Sequence, residues 1–360
     1  MIGGVWTSCS SLFFMQLTQT YIQGVILLIL LLMVSCQSQE EAGLIQPEEV
    51  MLAIPAGYPA PIIPEENQLT ASRVALGRAL FYDNMLSLDS TMSCGSCHLL
   101  NAGMADHNAV SIGIEGRVGF RNVPTLTNIA YHPYFFTEGG SPSLERQVLG
   151  PICNNDEFGF NAAELAIRLK DNTIYQELAE EAYGRPMDLY VLTRALASFE
   201  RTMISFNSPY DLYERKENIN ALSPEAQRGR ELFFSTKTNC GGCHPGPHLT
   251  NFAFENVGLE KAYADKGRYR VSLKEEDIGK FKVPTLRNVA LTAPYMHDGR
   301  MESLEEVIEH YDQGGVGHPN QHPFIKPLSL SDSEKGELLA FLHSLTDSSF
   351  IQNSDFLPKP

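Results

Sequence analysis

The sequence predicts a mainly helical chain built as two tandem copies of one module. Three observations carry that reading. Five sequence blocks occur twice in the same order, apolar residues recur at helical spacing, and no convincing run of alternating strand residues appears. Gly77-Arg78-Ala79-Leu80-Phe81 returns as Gly229-Arg230-Glu231-Leu232-Phe233, and each precedes a Cys-x-x-Cys-His, at Cys94–His98 and Cys240–His244. Val123–Ala130 (VPTLTNIA) returns as Val283–Ala290 (VPTLRNVA), Pro133-Tyr134 as Pro294-Tyr295, and Ser143-Leu144-Glu145 as Ser303-Leu304-Glu305. The copies meet near Asn207–Asn220.

Individual helices follow from local signals. Ser223-Pro224 reads as an N-cap followed by proline at the first helical position, opening the helix that carries Leu232 and Phe233. Leu338, Leu339, Phe341, Leu342 and Leu345 mark one apolar stripe on a closing helix, with Ser331 or Ser333 as its cap. Leu192, Leu196 and Phe199 do the same near the end of the first copy.

Residues 1–35 carry no charged side chain, and Val25–Val34 is an unbroken apolar run. Ten residues fall short of the ~20 that a membrane-spanning helix needs and fit the apolar region of a secretory signal. Met33-Val34-Ser35-Cys36 resembles a bacterial lipobox, so the expectation is an exported, periplasmic protein, lipid-anchored through Cys36; the competing reading is an uncleaved anchor helix. The division expected is a signal peptide over 1–36, a Pro- and Glu-rich tether over 37–66, modules over 67–215 and 216–350, and a tail over 351–360. A formal charge of −16 argues against a sequence-independent grip on nucleic acid and favours a basic partner.

Seven cysteines occur, and four of them form the two short pairs Cys94/Cys97 and Cys240/Cys243. Cys-x-x-Cys-His is the attachment signature of c-type haem: two thiols reach the vinyl groups of one porphyrin and the adjacent histidine reaches its iron. A redox dithiol or half a zinc site explains neither the histidine after both pairs nor the helical surroundings. His98 and His244 are therefore the expected proximal ligands, the four thiols become thioethers, and Cys153 is left as a buried structural thiol. What faces each iron on the other side decides function, because an open iron does chemistry and a closed one carries electrons. After the Ser-Leu-Glu block the first copy offers Pro151–Gly159 (PICNNDEFG), rich in carboxylates; the second offers His310 and Tyr311.

The order of the blocks LGRALFYDNMLS…SCGSCH, NVPTLTN, NNDEFG, CGGCH and KFKVPTLRNVALTAPYMHDGRMESLEEV resembles the bacterial di-haem cytochrome c peroxidase and MauG family over about Leu69–Asp347. The resemblance implies two tandem cytochrome c-like domains with long loops and haems facing the domain interface. It implies that peroxide reacts at the N-terminal haem, where Glu157 matches the acid-base glutamate of the family's Asn-Pro-x-Glu-Met-Gly, with Asn155 and Phe158 replacing its Pro and Met; Asp156 is the rival. It also implies a calcium ion held by Asn122 and the carbonyls of Thr292 and Pro294. Tyr311 falls where peroxidases carry Met and MauG-type members carry Tyr as ligand to the second iron; His310 is the alternative.

Two departures matter. The Ser-Ile-Gly-His that blocks the first haem in many peroxidases reads Ser111-Ile112-Gly113-Ile114, so that haem is expected to be open without prior reduction; His107 nearby reads as a loop residue. The inter-haem Trp of Phe-Trp-Asp-Gly is replaced in Phe135-Phe136-Thr137-Glu138-Gly139, leaving Tyr134, Phe136 or Tyr295 as substitutes. The function expected is reduction of hydrogen peroxide with electrons from a small cytochrome c or cupredoxin, with a homodimer allowed. A MauG-like oxidase acting on a partner protein and a non-catalytic di-haem electron carrier are the alternatives. His132, His248, His297, His318, His322 and His343 read as surface or loop residues, with His297 shaping the interface.

Overall fold

A computed structural model describes residues 48–359. The signal segment, Cys36 and the first part of the tether lie outside the described residues. The fold is mainly helical. Among the described residues its one sheet is the two-residue pair β1 (Phe254–Glu255) and β2 (Phe281–Lys282), antiparallel with Phe254 opposite Lys282.

The repeat is visible as two crossed helix pairs. In the first, α1 (Ala71–Phe81) is N-capped by Thr70, whose hydroxyl accepts the Arg73 N–H, and it crosses α4 (Leu189–Glu200), capped by Asp188. Helices α2 (Ala162–Lys170) and α3 (Thr173–Tyr183) lie between them in sequence, each opened by an asparagine cap. In the second, α6 (Pro224–Phe233) begins with Ser223 as cap and proline at its first position. It crosses α8 (Asp332–His343), where Ser331 and Glu334 form a reciprocal capping box. Phe81 meets Phe199 edge-on at 5.2 Å between ring centroids, and Phe233 meets Phe341 at 5.1 Å, so the same contact is made twice.

Each crossing seeds its own apolar core, one around Leu76, Leu80, Leu196 and Phe199 and one around Phe233, Leu338, Phe341 and Leu342. The join between copies is not a bare linker. It holds α5 (Pro209–Glu214), started by a capping box between Ser208 and Asp211.

Both ends of the described stretch engage this frame. Within the expected tether, Tyr58 donates its hydroxyl to Asp211 at 3.1 Å, and Tyr131 of the first copy donates to the Pro59 carbonyl. The C-terminal stretch returns to the first copy: Phe350, last residue of the expected second module, and Phe356 of the expected tail are buried in that core, while Tyr82 donates to the Phe356 carbonyl.

Between the copies, Arg121 pairs with Asp265 at 2.6 Å, and within its own copy it pairs with Glu138. Asn128 and Asn288, equivalent in the repeat, both adopt left-handed backbone and spend their amides on chain crossings. Asn128 exchanges two hydrogen bonds with the Ser205 backbone, and Asn288 accepts the Asp347 N–H.

Candidate functional site

The first Cys-x-x-Cys-His is a tight turn, Cys94–Ser96, fixed by the Ser93 N–H donating to the Ser96 hydroxyl. All four motif thiols are unpaired, and burial raises the pKa of each. A reactive dithiol stabilises its thiolate and shifts it the other way. His98 donates Nδ1–H to the Met104 carbonyl at 2.9 Å, and His244 donates likewise to Leu249 at 2.8 Å. Burial lowers both imidazole pKa values, that of His244 to about 4. Each ring is therefore neutral, with Nε2 as the lone-pair nitrogen, which is the tautomer an iron ligand needs. The donor set fits a covalent haem at both turns.

Glu157 follows the helical turn Leu149–Cys153. Asn154 donates its side-chain amide to Glu157 Oε1 at 2.8 Å, and its carbonyl accepts the Glu157 and Gly159 N–H groups. Burial raises the Glu157 pKa, the charge of Asp156 adds to this, and the Asn154 hydrogen bond opposes it. Glu157 in turn raises the pKa of Cys94 and Cys97, so its carboxylate acts on the first attachment turn. Asp156, the rival, is exposed. Ile114 is 2% exposed, and its N–H donates to the Glu157 carbonyl at 2.9 Å. The position where a blocking histidine would stand is therefore docked on the Glu157 segment and filled by an aliphatic side chain.

Tyr311 lies on α7 (Leu304–Gln313), capped by Ser303. Burial raises its phenol pKa, and Cys240 and Cys243 add to the shift, so it acts on the second attachment turn. The adjacent His310 places its Nε2 2.9 Å from the Val257 carbonyl, which engages one ring nitrogen in the loop packing.

Of the calcium candidates, Asn122 is tied to the second copy. The Asn122 N–H donates to the His297 carbonyl, and its Nδ2 donates to the carbonyls of Asn108 and Ala109. Among the described residues no hydrogen bond reaches Asn122 Oδ1 or the carbonyls of Thr292 and Pro294. Free neutral oxygens of this kind suit a hard cation.

Several expectations need correction. Cys153 is exposed, because the turn Leu149–Cys153 buries Ile152 and leaves the next residue outward. His132, His248 and His297 lie in loops, as expected, but are half-buried rather than on the surface. His132 Nδ1 accepts from the Lys282 ammonium at 3.1 Å, the His248 ring lies 4.2 Å from that of Tyr131, and His297 stacks on Phe281 at 4.0 Å. His132 and His248 thereby make contacts between the two copies, whereas the His297 stack lies within the second. Phe136 lies against Gly150, while Tyr134 is 46% exposed.

Sequence reasoning also missed two buried groups. Arg287, in the repeat position of Thr127, is 1% exposed and pairs in bidentate fashion with Asp211, both contacts at 2.8 Å. Glu200, at the end of α4, is 5% exposed. Its signal was a carboxylate continuing the Leu192–Leu196 stripe at four-residue spacing.

Two c-type attachment turns in a duplicated helical frame define a di-haem protein. Residues 71–219 match the family model described as di-haem cytochrome c peroxidase. The chain is 33% identical over 340 residues to the cytochrome-c peroxidase IdrP1 of Pseudomonas sp. strain SCT, covering 83% of this chain and 87% of that protein. It is 36% identical over 292 residues to the methylamine utilization protein MauG of Methylorubrum extorquens, covering 78% and 80%. The crystal structure of a MauG-like protein associated with microbial copper homeostasis superposes with a TM-score of 0.81 at 33% identity, covering 85% of this chain and 98% of that one. The chain belongs to the di-haem cytochrome c peroxidase and MauG family.

Proposed function

We propose that the protein is a periplasmic di-haem peroxidase, anchored through a lipid on Cys36. It reduces hydrogen peroxide to water at the N-terminal haem, with electrons relayed through the C-terminal haem from a small cytochrome c or cupredoxin. Haem c held by Cys94, Cys97 and His98 supplies the iron at which the oxygen–oxygen bond is cleaved. Glu157 takes the proton from one peroxide oxygen and delivers it to the other, so that water leaves. Its raised pKa suits both halves of that transfer, and Asn154 fixes its orientation. His244 and Tyr311 hold the second haem, and Asn122, Thr292 and Pro294 hold calcium between the copies.

The observation that carries this reading is the pairing of a half-buried Glu157 with Ile114: a proton-transfer group is present, and the side chain docked beside it cannot ligate iron. A second reading, a MauG-like oxidase that draws electrons from a residue of a partner protein, is favoured by Tyr311 at the second turn. Absorption and EPR spectra of the haem-loaded protein, before and after peroxide, test both against a plain carrier. A high-spin ferric component that reacts with peroxide supports an enzyme; two low-spin haems inert to peroxide overturn it. Covalent change in a partner protein selects the oxidase. In Glu157→Gln, peroxide reduction should slow by roughly 10²-fold or more.

A further inference from the structure

Glu200 is a carboxylic acid in the apolar frame beside the first haem turn, and the activity described above gives it no role. It ends α4 one residue after Phe199, whose ring meets those of Phe81 and Tyr82. Phe81 in turn lies 6.3 Å from the His98 ring, and Tyr82 lies against Gly95. The charge of Glu200 reaches Cys94 and raises that thiol's pKa. Its Oε2 is inaccessible to water and has no hydrogen-bond partner among the described residues. The neighbouring Arg201 does not neutralise it, because that guanidinium is held in bidentate fashion by Glu145 at 2.6 and 3.1 Å.

The duplication supplies an internal comparison. Gly77 packs on Ala195 and Phe199 as Gly229 packs on Glu337 and Phe341, so the residue after each phenylalanine is equivalent: Glu200 in the first copy, Leu342 in the second. Leu342 is 7% exposed, so an aliphatic side chain is accommodated in the same place. Only the copy carrying Glu157 has a carboxyl there.

We propose that Glu200 is the proton-exchanging partner of the first haem, taking up one solvent proton when its ferric iron gains an electron and releasing it when the electron leaves. An ionised carboxylate in this dry site opposes loss of positive charge at the iron, so reduction and protonation favour each other. Its proton affinity is set by burial, which raises it, Arg201, which lowers it, and Glu145, which raises it, and together they leave its pKa raised to about 8. Cys94 is uncharged once joined to haem. Glu200 is thus a positioning residue acting through charge, and the proposal rests on the haem reading of Cys94–His98.

The test is a spectroelectrochemical titration of the haem-loaded protein, with the two haems resolved, from about pH 6 to about pH 10. The first haem's midpoint should fall as pH rises, approaching 59 mV per tenfold change in proton activity for a one-electron couple at its steepest. Glu200→Gln should abolish the slope and hold the midpoint near the acid-limit value, leaving the second haem's midpoint unchanged. Glu200→Asp should retain a slope. A flat wild-type midpoint overturns the proposal even if no variant folds, and so does an undiminished slope in Glu200→Gln. The absence of any peroxide-reactive high-spin haem would instead overturn the peroxidase reading.

Discussion

The Ala195 carbonyl oxygen fills the space where a side chain on Gly77 would stand: a Cβ there would lie 1.9 Å from it. Gly229 stands in the same relation to Glu337, at 1.8 Å, so both helix crossings depend on a missing side chain. Gly77→Ala should force α1 and α4 apart and destabilise the protein by about 1–3 kcal/mol or more. An unchanged denaturation midpoint would count against this account of the crossing.

Arg287 and Asp211 form a pair with no water to screen it, tied also to the Tyr58 hydroxyl. Arg287→Leu leaves Asp211 buried without a counter-charge and should cost about 3–5 kcal/mol in chemical denaturation. The pair holds the Asp211 pKa below its ordinary value. Its stabilisation is therefore complete above the ordinary aspartate range, near pH 4, and is lost as pH falls through the depressed value. Acid unfolding of Asp211→Asn should lack this component.

The Asn154 amide favours the charged form of Glu157. Asn154→Ala should raise the Glu157 pKa further, moving the acidic limb of the peroxide-reaction profile to higher pH. A limb that stays in place or moves down would separate Asn154 from the proton transfer.

Ile114→His places an imidazole on the segment docked against Glu157. The ferric EPR spectrum should lose high-spin intensity and gain a low-spin species, and peroxide should react only after partial reduction. Persistence of the high-spin signal would show that the loop holds this position away from the iron.

At the second site, Tyr311→Met replaces a phenol with a neutral thioether and should raise that haem's reduction potential. No change would indicate that Tyr311 is not a ligand.

Much of this was legible in the chain because duplication prints local chemistry twice. The caps Ser223 and Ser331, the stripe through Leu338 and Phe341, and both attachment turns follow from nearby residues alone. The half-buried histidines, the outward Cys153 and the Arg287–Asp211 pair were not legible, because each depends on how the chain packs in three dimensions. Arg287 meets Asp211 across 76 positions, and His132 meets Lys282 across 150. Glu200 falls between these cases: its stripe position marks it as buried, but only the crossing of α4 over α1 brings it to the first haem turn.

Because Phe350 and Phe356 complete the core that Leu76 and Leu80 begin, the first copy finishes folding only after the chain as far as Phe356 has been delivered. The second copy is in effect an insertion within the first. Cutting the gene between the two would thus strip the N-terminal fragment of part of its interior, and a fusion at the C-terminus would emerge beside the earlier half.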